Sequence, residues 1–129
     1  TKLPHILNWT DKRREVAAKY DEMLLGVGDV IIPFVRENTK HSYHLYVIRT
    51  EQRDALLKHL SEKEIDTAIH YPVALPNMKA YEYLGHTPED FPISSQFESK
   101  ILSLPIYPEL SYEQIKYVCK SIREFFYQM

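Results

Sequence analysis

The chain has 129 residues, 44% hydrophobic and 26% charged, with a formal net charge of −2. That is one ordinary globular domain able to bury a real core, and it carries no electrostatic footprint for nucleic acid or an anionic membrane. No apolar run approaches the roughly 18 residues of a membrane span, the three glycines cannot build a phosphate-cradling loop, and the single cysteine excludes an internal disulfide.

Apolar residues at Ile6, Trp9, Val16, Tyr20 and Met23, flanked by Leu7, Ala17 and Leu24 and broken at Arg13, predict an amphipathic helix over 6–24. Gly26 and Gly28 supply its stop. "DVIIPFVR" (29–36) is β-branched but interrupted by Pro33, so it reads as an edge or bulged strand. "HSYHLYVIR" (41–49) is the clearest strand. Its alternation puts His41, Tyr43, Leu45 and Val47 on one face and Ser42, His44, Tyr46 and Ile48 on the other. Thr50 is expected to cap a helix over 51–60 with Leu56, Leu57 and Leu60 inward. A strand over 66–71 then completes a β-α-β unit, its two strands parallel or sharing a sheet.

"MKAYEYLG" reads as a short helix closed by Gly85, and "ISSQFESKIL" (93–102) as a second helix carrying Phe97 and Ile101. "SLPIYPEL" is extended. "SYEQ" (111–114) is a capping box that opens a final helix burying Ile115, Val118, Cys119, Ile122 and Phe126. The fold class is α+β: a single domain over 1–129, with helices packed on a small mixed sheet.

Few residues offer chemistry. His41 and His44 lie three apart on a strand, so they face opposite ways and do not chelate one ion. Glu62/Glu64 and Glu89/Asp90 sit in charged, loop-like settings and read as solvated surface. Cys119 belongs to an apolar helical stripe and reads as core filler. No lysine is flanked as a buried Schiff-base lysine would be. "AIHYPVALPN" (68–77) differs: it ends a strand by presenting His70 and Tyr71 on a turn braced by Pro72 and Pro76, at a sheet rim where ligands commonly bind.

The strings "LPHILNWTDKRREVAAKY", "HSYHLYVIRTEQRDALLKHL", "IDTAIHYPVALPNMKAYEYLG", "DFP" and "ILSLPIYPELSYEQIKYVCKSIREFF" resemble, in order and spacing, the DegT/DnrJ/EryC1/StrS family of pyridoxal-phosphate-dependent sugar aminotransferases. The likeness covers nearly the whole chain and is to the small carboxyl-terminal domain of these fold-type I enzymes, residues 1–25 coming from the interdomain helix. It implies transfer of an amino group from glutamate or glutamine to a keto sugar linked to a nucleotide, in bacterial amino-sugar and cell-surface polysaccharide biosynthesis. It also implies a cytoplasmic homodimer and a partner in the larger amino-terminal domain. That domain would hold the Schiff-base lysine and the pyridoxal phosphate, leaving this chain alone without catalytic, cofactor-binding or metal-binding residues and inactive. Its substrate-binding residues would be His70 and Tyr71, with His44 and Tyr46 on the neighbouring strand. The sequence departs from the family at Glu64, where relatives commonly carry glycine.

The rival reading is a stand-alone, non-catalytic α+β module that binds a ligand or a protein. Its natural start would carry a methionine, whereas this chain begins at Thr1, as expected of a piece of something longer. If the larger domain exists, the stripe of Trp9, Val16, Tyr20 and Met23 should partly serve it.

Overall fold

In the computed structural model, which describes residues 1–127, the first helix, α1, spans Ile6–Leu24 as the periodicity predicts. A 3₁₀ turn, Leu3–His5, precedes it, and the left-handed Gly26 and Gly28 follow it. The order then runs β1 (Tyr46–Arg49), α2 (Arg53–Glu62), two 3₁₀ turns (Leu75–Asn77 and Lys79–Leu84), α3 (Pro92–Phe97), β2 (Ile101–Leu104) and α4 (Tyr112–Tyr127). Among the described residues no helix is long and apolar enough to cross a membrane.

β1 and β2 pair antiparallel, Tyr46 opposite Leu104 and Ile48 opposite Leu102. Period-two alternation sends those four side chains to one face, where all are buried against α1, α2 and α4. Val16, Ala17, Tyr20 and Leu24 from α1, Leu56 and Leu60 from α2, and Ile115, Val118, Cys119 and Ile122 from α4 complete that core. A fully buried aliphatic side chain contributes about 1.5–3 kcal/mol. Val47, Arg49, Ile101 and Ser103 take the opposite face, where Arg49 lies over the Phe97 ring at 4.5 Å. The excursion between residues 70 and 98 covers that side.

Several sequence expectations change. Pro33 limits 29–36 to a single bridge, Ile31 to Arg49, at the outer edge of β1. The strand over 41–49 shortens to Tyr46–Arg49, because Tyr43 takes a left-handed φ of 47° and its N–H donates to His41 Nδ1 at 2.9 Å. The turn breaks the alternation, so Tyr43 and Tyr46 both reach the core, with ring centroids 6.1 Å apart. Residues 66–71 reach the sheet through one antiparallel bridge, Ala68 to Ser103, on the far side of β2 from β1. That segment and β1 therefore run in the same direction within one sheet, separated by β2. The α+β class holds, while every pairing among the described residues is antiparallel rather than mixed. The helix expected over 93–102 stops at Phe97, and residues 101–104 form β2. Thr50 does not cap α2, which begins at Arg53 after Gln52; instead its Oγ1 donates to Asp29 and accepts from the N–H of Gln52.

The α1 stripe also differs from expectation. Val16 and Tyr20 are enclosed by this chain's own core, Trp9 and Met23 are half-buried, and the exposed apolar residues are Leu3, Ile6 and Leu7 at the helix start and Leu25 at its end. At the other end of the chain the capping box forms as read: Ser111 N–H donates to Gln114 Oε1 at 2.9 Å, and Gln114 N–H to Ser111 Oγ at 3.2 Å.

Glu64 ends α2 in a Schellman arrangement. Ile65 N–H donates to Leu60 O and Glu64 N–H to Ser61 O, both at 3.0 Å, with Leu60 and Ile65 buried together. Glu64 itself takes φ +57°, a conformation in which its Cβ is crowded and a glycine is not. Glu64→Gly is accordingly expected to stabilise the fold by about 1 kcal/mol, partly offset by glycine's greater freedom when unfolded. A rise in the urea midpoint with unchanged slope checks it; a fall would mean that the turn is not strained.

Candidate site on the outer face of the sheet

The "AIHYP" segment leaves the sheet just after its single bridge. Ala68 exchanges both backbone hydrogen bonds with Ser103, at 3.2 and 2.8 Å, which fixes the segment beside β2. Two residues later, alternation returns His70 to the face that Ser103 occupies, away from the helical core. The half-buried imidazole meets the buried Ser103 hydroxyl, Nδ1 to Oγ, at 2.9 Å. With Nδ1 engaged, Nε2 is the nitrogen left for a ligand. The His70–Tyr71 peptide is cis. Tyr71 is 75% exposed and stands edge-on to the His70 ring, with centroids 5.9 Å apart.

His70 forms the wall between two hollows. One, of about 220 Å³, is bounded by His44, Asp66, His70 and Pro105. The other, of about 330 Å³, lies between Val47, His70, Tyr71, Leu75, Phe97 and Glu98. The fold therefore brings His44 to His70 on one side and Tyr71 to His70 on the other. Tyr46 goes elsewhere: it is fully buried in the helical core and donates its hydroxyl to Asp21 Oδ1 at 2.7 Å. Burial, then that hydrogen bond to Asp21, raises its phenol far above the ordinary tyrosine range. Tyr46 thus stands on the core face of β1, whereas His44, in the bend that precedes the strand, lines the first hollow.

Sequence reasoning passed over Ser103, which orients His70, and Glu98, which lines the second hollow. Each lies tens of residues from the turn it serves, and a serine in an apolar run or a glutamate in a helix gives no sign of that role. Larger hollows lie along α4. One of about 470 Å³ is bounded by Glu64, Asp66, Tyr107, Glu113 and Tyr117, and one of about 640 Å³ by Met23, Lys116, Cys119 and Arg123. Neither contains a histidine, and no cluster of three metal-ligating side chains occurs among the described residues.

The family model described as the DegT/DnrJ/EryC1/StrS aminotransferase family matches residues 1–123. A protein of Aneurinibacillus thermoaerophilus named dTDP-3-amino-3,6-dideoxy-alpha-D-galactopyranose transaminase is 36% identical over 98% of this chain and 34% of its own length. The Geobacillus stearothermophilus "pleiotropic regulatory protein" is 37% identical over 97% of the chain and 34% of its own. Among solved structures, S. venezuelae DesV in complex with a ketimine intermediate superposes with a TM-score of 0.94 at 34% identity, over 99% of this chain and 34% of that one. The chain thus spans about a third of the length of the relatives it matches. Matched by the family model from Thr1 through Arg123, it belongs to the DegT/DnrJ/EryC1/StrS aminotransferase family.

Proposed function

We propose that this chain is the carboxyl-terminal domain of a longer pyridoxal-phosphate-dependent aminotransferase. The enzyme moves an amino group from glutamate or glutamine to the keto carbon of a nucleotide-linked sugar, and His70 faces that sugar or its diphosphate. Relatives named as transaminases of dTDP-linked sugars support the reaction class. The observation that carries the site is the His70 ring, set by Ser103 at the rim between two hollows rather than enclosed. Tyr71 and His44 stand on either side of it.

The chain's own lysines do not fit the covalent cofactor site. Every one is exposed or half-buried; Lys63 and Lys100 pair with Glu124 and Glu51 at 2.6 Å, and Lys19 and Lys116 lie over the Tyr112 ring. The cofactor and its anchors are assigned to the rest of the longer protein, and no step of the chemistry is routed through this domain's lysines. What this domain supplies is binding and orientation: an imidazole able to donate to, or carry positive charge against, a sugar diphosphate. The exposed apolar residues of the excursion, among them Tyr71, Leu75, Tyr83 and Ile93, with Leu3 and Leu7 at the start of α1, suit a partner in the larger domain. A bacterial cytoplasmic homodimer is the assembly this reading implies.

In the full-length enzyme, His70→Ala is expected to lower kcat/KM for the nucleotide sugar about 10–100-fold, the worth of one hydrogen bond to a charged group. The amino-donor half-reaction and the bound cofactor should be unchanged. Unaltered kinetics with the sugar substrate would remove His70 from the site, and loss of the cofactor would mean that it lies in a different part of it.

A further inference from the structure

We infer that Glu98 is the positioning residue of the substrate-facing turn: its carboxylate latches residues 70–77 to the end of α3 and so sets where His70 and Tyr71 stand. The inference rests on the reading of His70 given above and adds to it the residue that holds the turn in place. After Ala68 the segment has no ladder partner, and its prolines at 72 and 76 donate nothing. It is held instead from across the hollow. One oxygen of Glu98, Oε1, accepts the N–H of Ala74 and the side-chain amide of Asn77, both at 2.7 Å. The same Asn77 nitrogen also donates to Ser95 Oγ at 3.0 Å.

Glu98 is itself fixed. Its backbone carbonyl accepts from Arg53 Nη1 at 3.2 Å, and that guanidinium, buried on α2, also reaches Ile101 O at 3.4 Å. The path runs from a buried arginine on a rigid helix, through the end of α3, to the turn. Short bonds to an ionised acceptor are the strong kind, and here two converge on one atom. Glu98 also lines the hollow shared by His70 and Tyr71, so releasing the latch changes the shape of the proposed substrate side rather than a remote surface.

The test uses the intact enzyme. Glu98→Ala should raise KM for the nucleotide-linked keto sugar about tenfold, with the donor half-reaction unchanged, and Glu98→Gln, which keeps an Oε1 acceptor, should recover most of it. Hydrogen exchange in a peptide covering residues 71–78 should be about tenfold faster in Glu98→Ala than in the parent. In a background lacking both His70 and the Tyr71 ring (His70→Ala with Tyr71→Ala), Glu98→Ala should add less than about a twofold effect, because it acts through those two residues. If Glu98→Ala does not fold, Asn77→Ala removes one of the two donors and should give the same pattern at smaller size. Unchanged exchange of the turn while His70→Ala is damaging overturns the latch alone. The same tenfold loss with and without His70 and the Tyr71 ring, or a glutamine variant no better than alanine, also overturns it. A silent His70→Ala overturns the site reading, and the positioning role with it.

Discussion

Between about pH 9 and pH 11 the domain is expected to lose on the order of 5 kcal/mol of stability, enough to unfold a chain of ordinary stability. Cys119, Tyr20 and Tyr46 resist ionisation most strongly, and burial, then the nearby Asp21, raises Tyr43 in the same direction. Burial pushes the Cys119 thiol up from 9.0 to about 12, against a small opposing pull from Arg123. Burial also raises Tyr20 and Tyr46 well beyond the ordinary tyrosine value of 10.0, with Tyr46 held further by its bond to Asp21. Raised folded-state pKa values mean that the stability they contribute is complete below the unfolded pKa and drains away as pH climbs toward the folded one. Each such group removes about 1.4 kcal/mol per pH unit once the unfolded chain deprotonates. Cys119 begins near pH 9, the tyrosines near pH 10.

Urea midpoints at successive pH values, read beside tyrosinate absorbance, provide the measurement. Tyr20 and Tyr46, both fully enclosed, should form tyrosinate only together with unfolding. Cys119→Ala should flatten the earliest part of the slope while costing about 1 kcal/mol for the lost sulfur contacts. A stability that stays level to pH 11 would mean that the core phenols and the thiol reach water in the folded chain.

The sequence disclosed the long-helix half of this core and concealed much of the sheet. α1 and α4 carry sustained three-four spacing, and α4 has a capping box whose two residues satisfy each other locally; neither signal needs knowledge of the rest of the chain. Residues 101–104 resemble the tail of a helix in the sequence because Phe97 and Ile101 are four apart, which is helical spacing by coincidence. What decides their state is distant: they gain β1 on one side and Ala68 on the other. A short apolar run ending before Pro105 was the available hint of a buried strand. Tyr43 deceived in the opposite way. Nothing in "HSYHLYVIR" marks a left-handed tyrosine or the bend at His44 and Leu45 that follows it, and that bend keeps His44 out of the alternation that Tyr46 begins.

The candidate site was legible where a stiff local turn announced it and illegible where it depended on contacts across the fold. His70 and Tyr71 stood out because prolines brace them at a strand end. Ser103 and Glu98 are ordinary in their own surroundings and become informative only when the sheet brings them to the turn. The departure at Glu64 was visible as a missing glycine, and φ +57° there is its structural counterpart.

The two glycines after α1 look alike in the sequence and should differ sharply on substitution. Gly28→Ala is expected to destabilise the domain by about 3 kcal/mol and Gly26→Ala by about 1 kcal/mol. Both take positive φ, 76° at Gly26 and 53° at Gly28, so both variants incur the left-handed penalty. A Cβ at Gly26 meets nothing within 4 Å, whereas one at Gly28 lies 2.3 Å from the Phe126 ring on α4. An aromatic ring cannot fold aside as the tip of a lysine does, so the ring or the loop must move. Moving either disturbs the Tyr127 hydroxyl, which accepts the Gly28 N–H and donates to Gly26 O, each at 3.2 Å. The loop after α1 is thereby closed onto the end of α4, near where Arg123 donates to Met23 O at 2.6 Å. Denaturant unfolding of the two single variants measures the difference. Phe126→Ala in the Gly28→Ala background should recover part of the excess, since it removes the obstructing ring while giving up that ring's own packing. Equal losses at Gly26 and Gly28, with no coupling to Phe126, would show that the α1–α4 junction is looser than this geometry and that only backbone conformation selects glycine there.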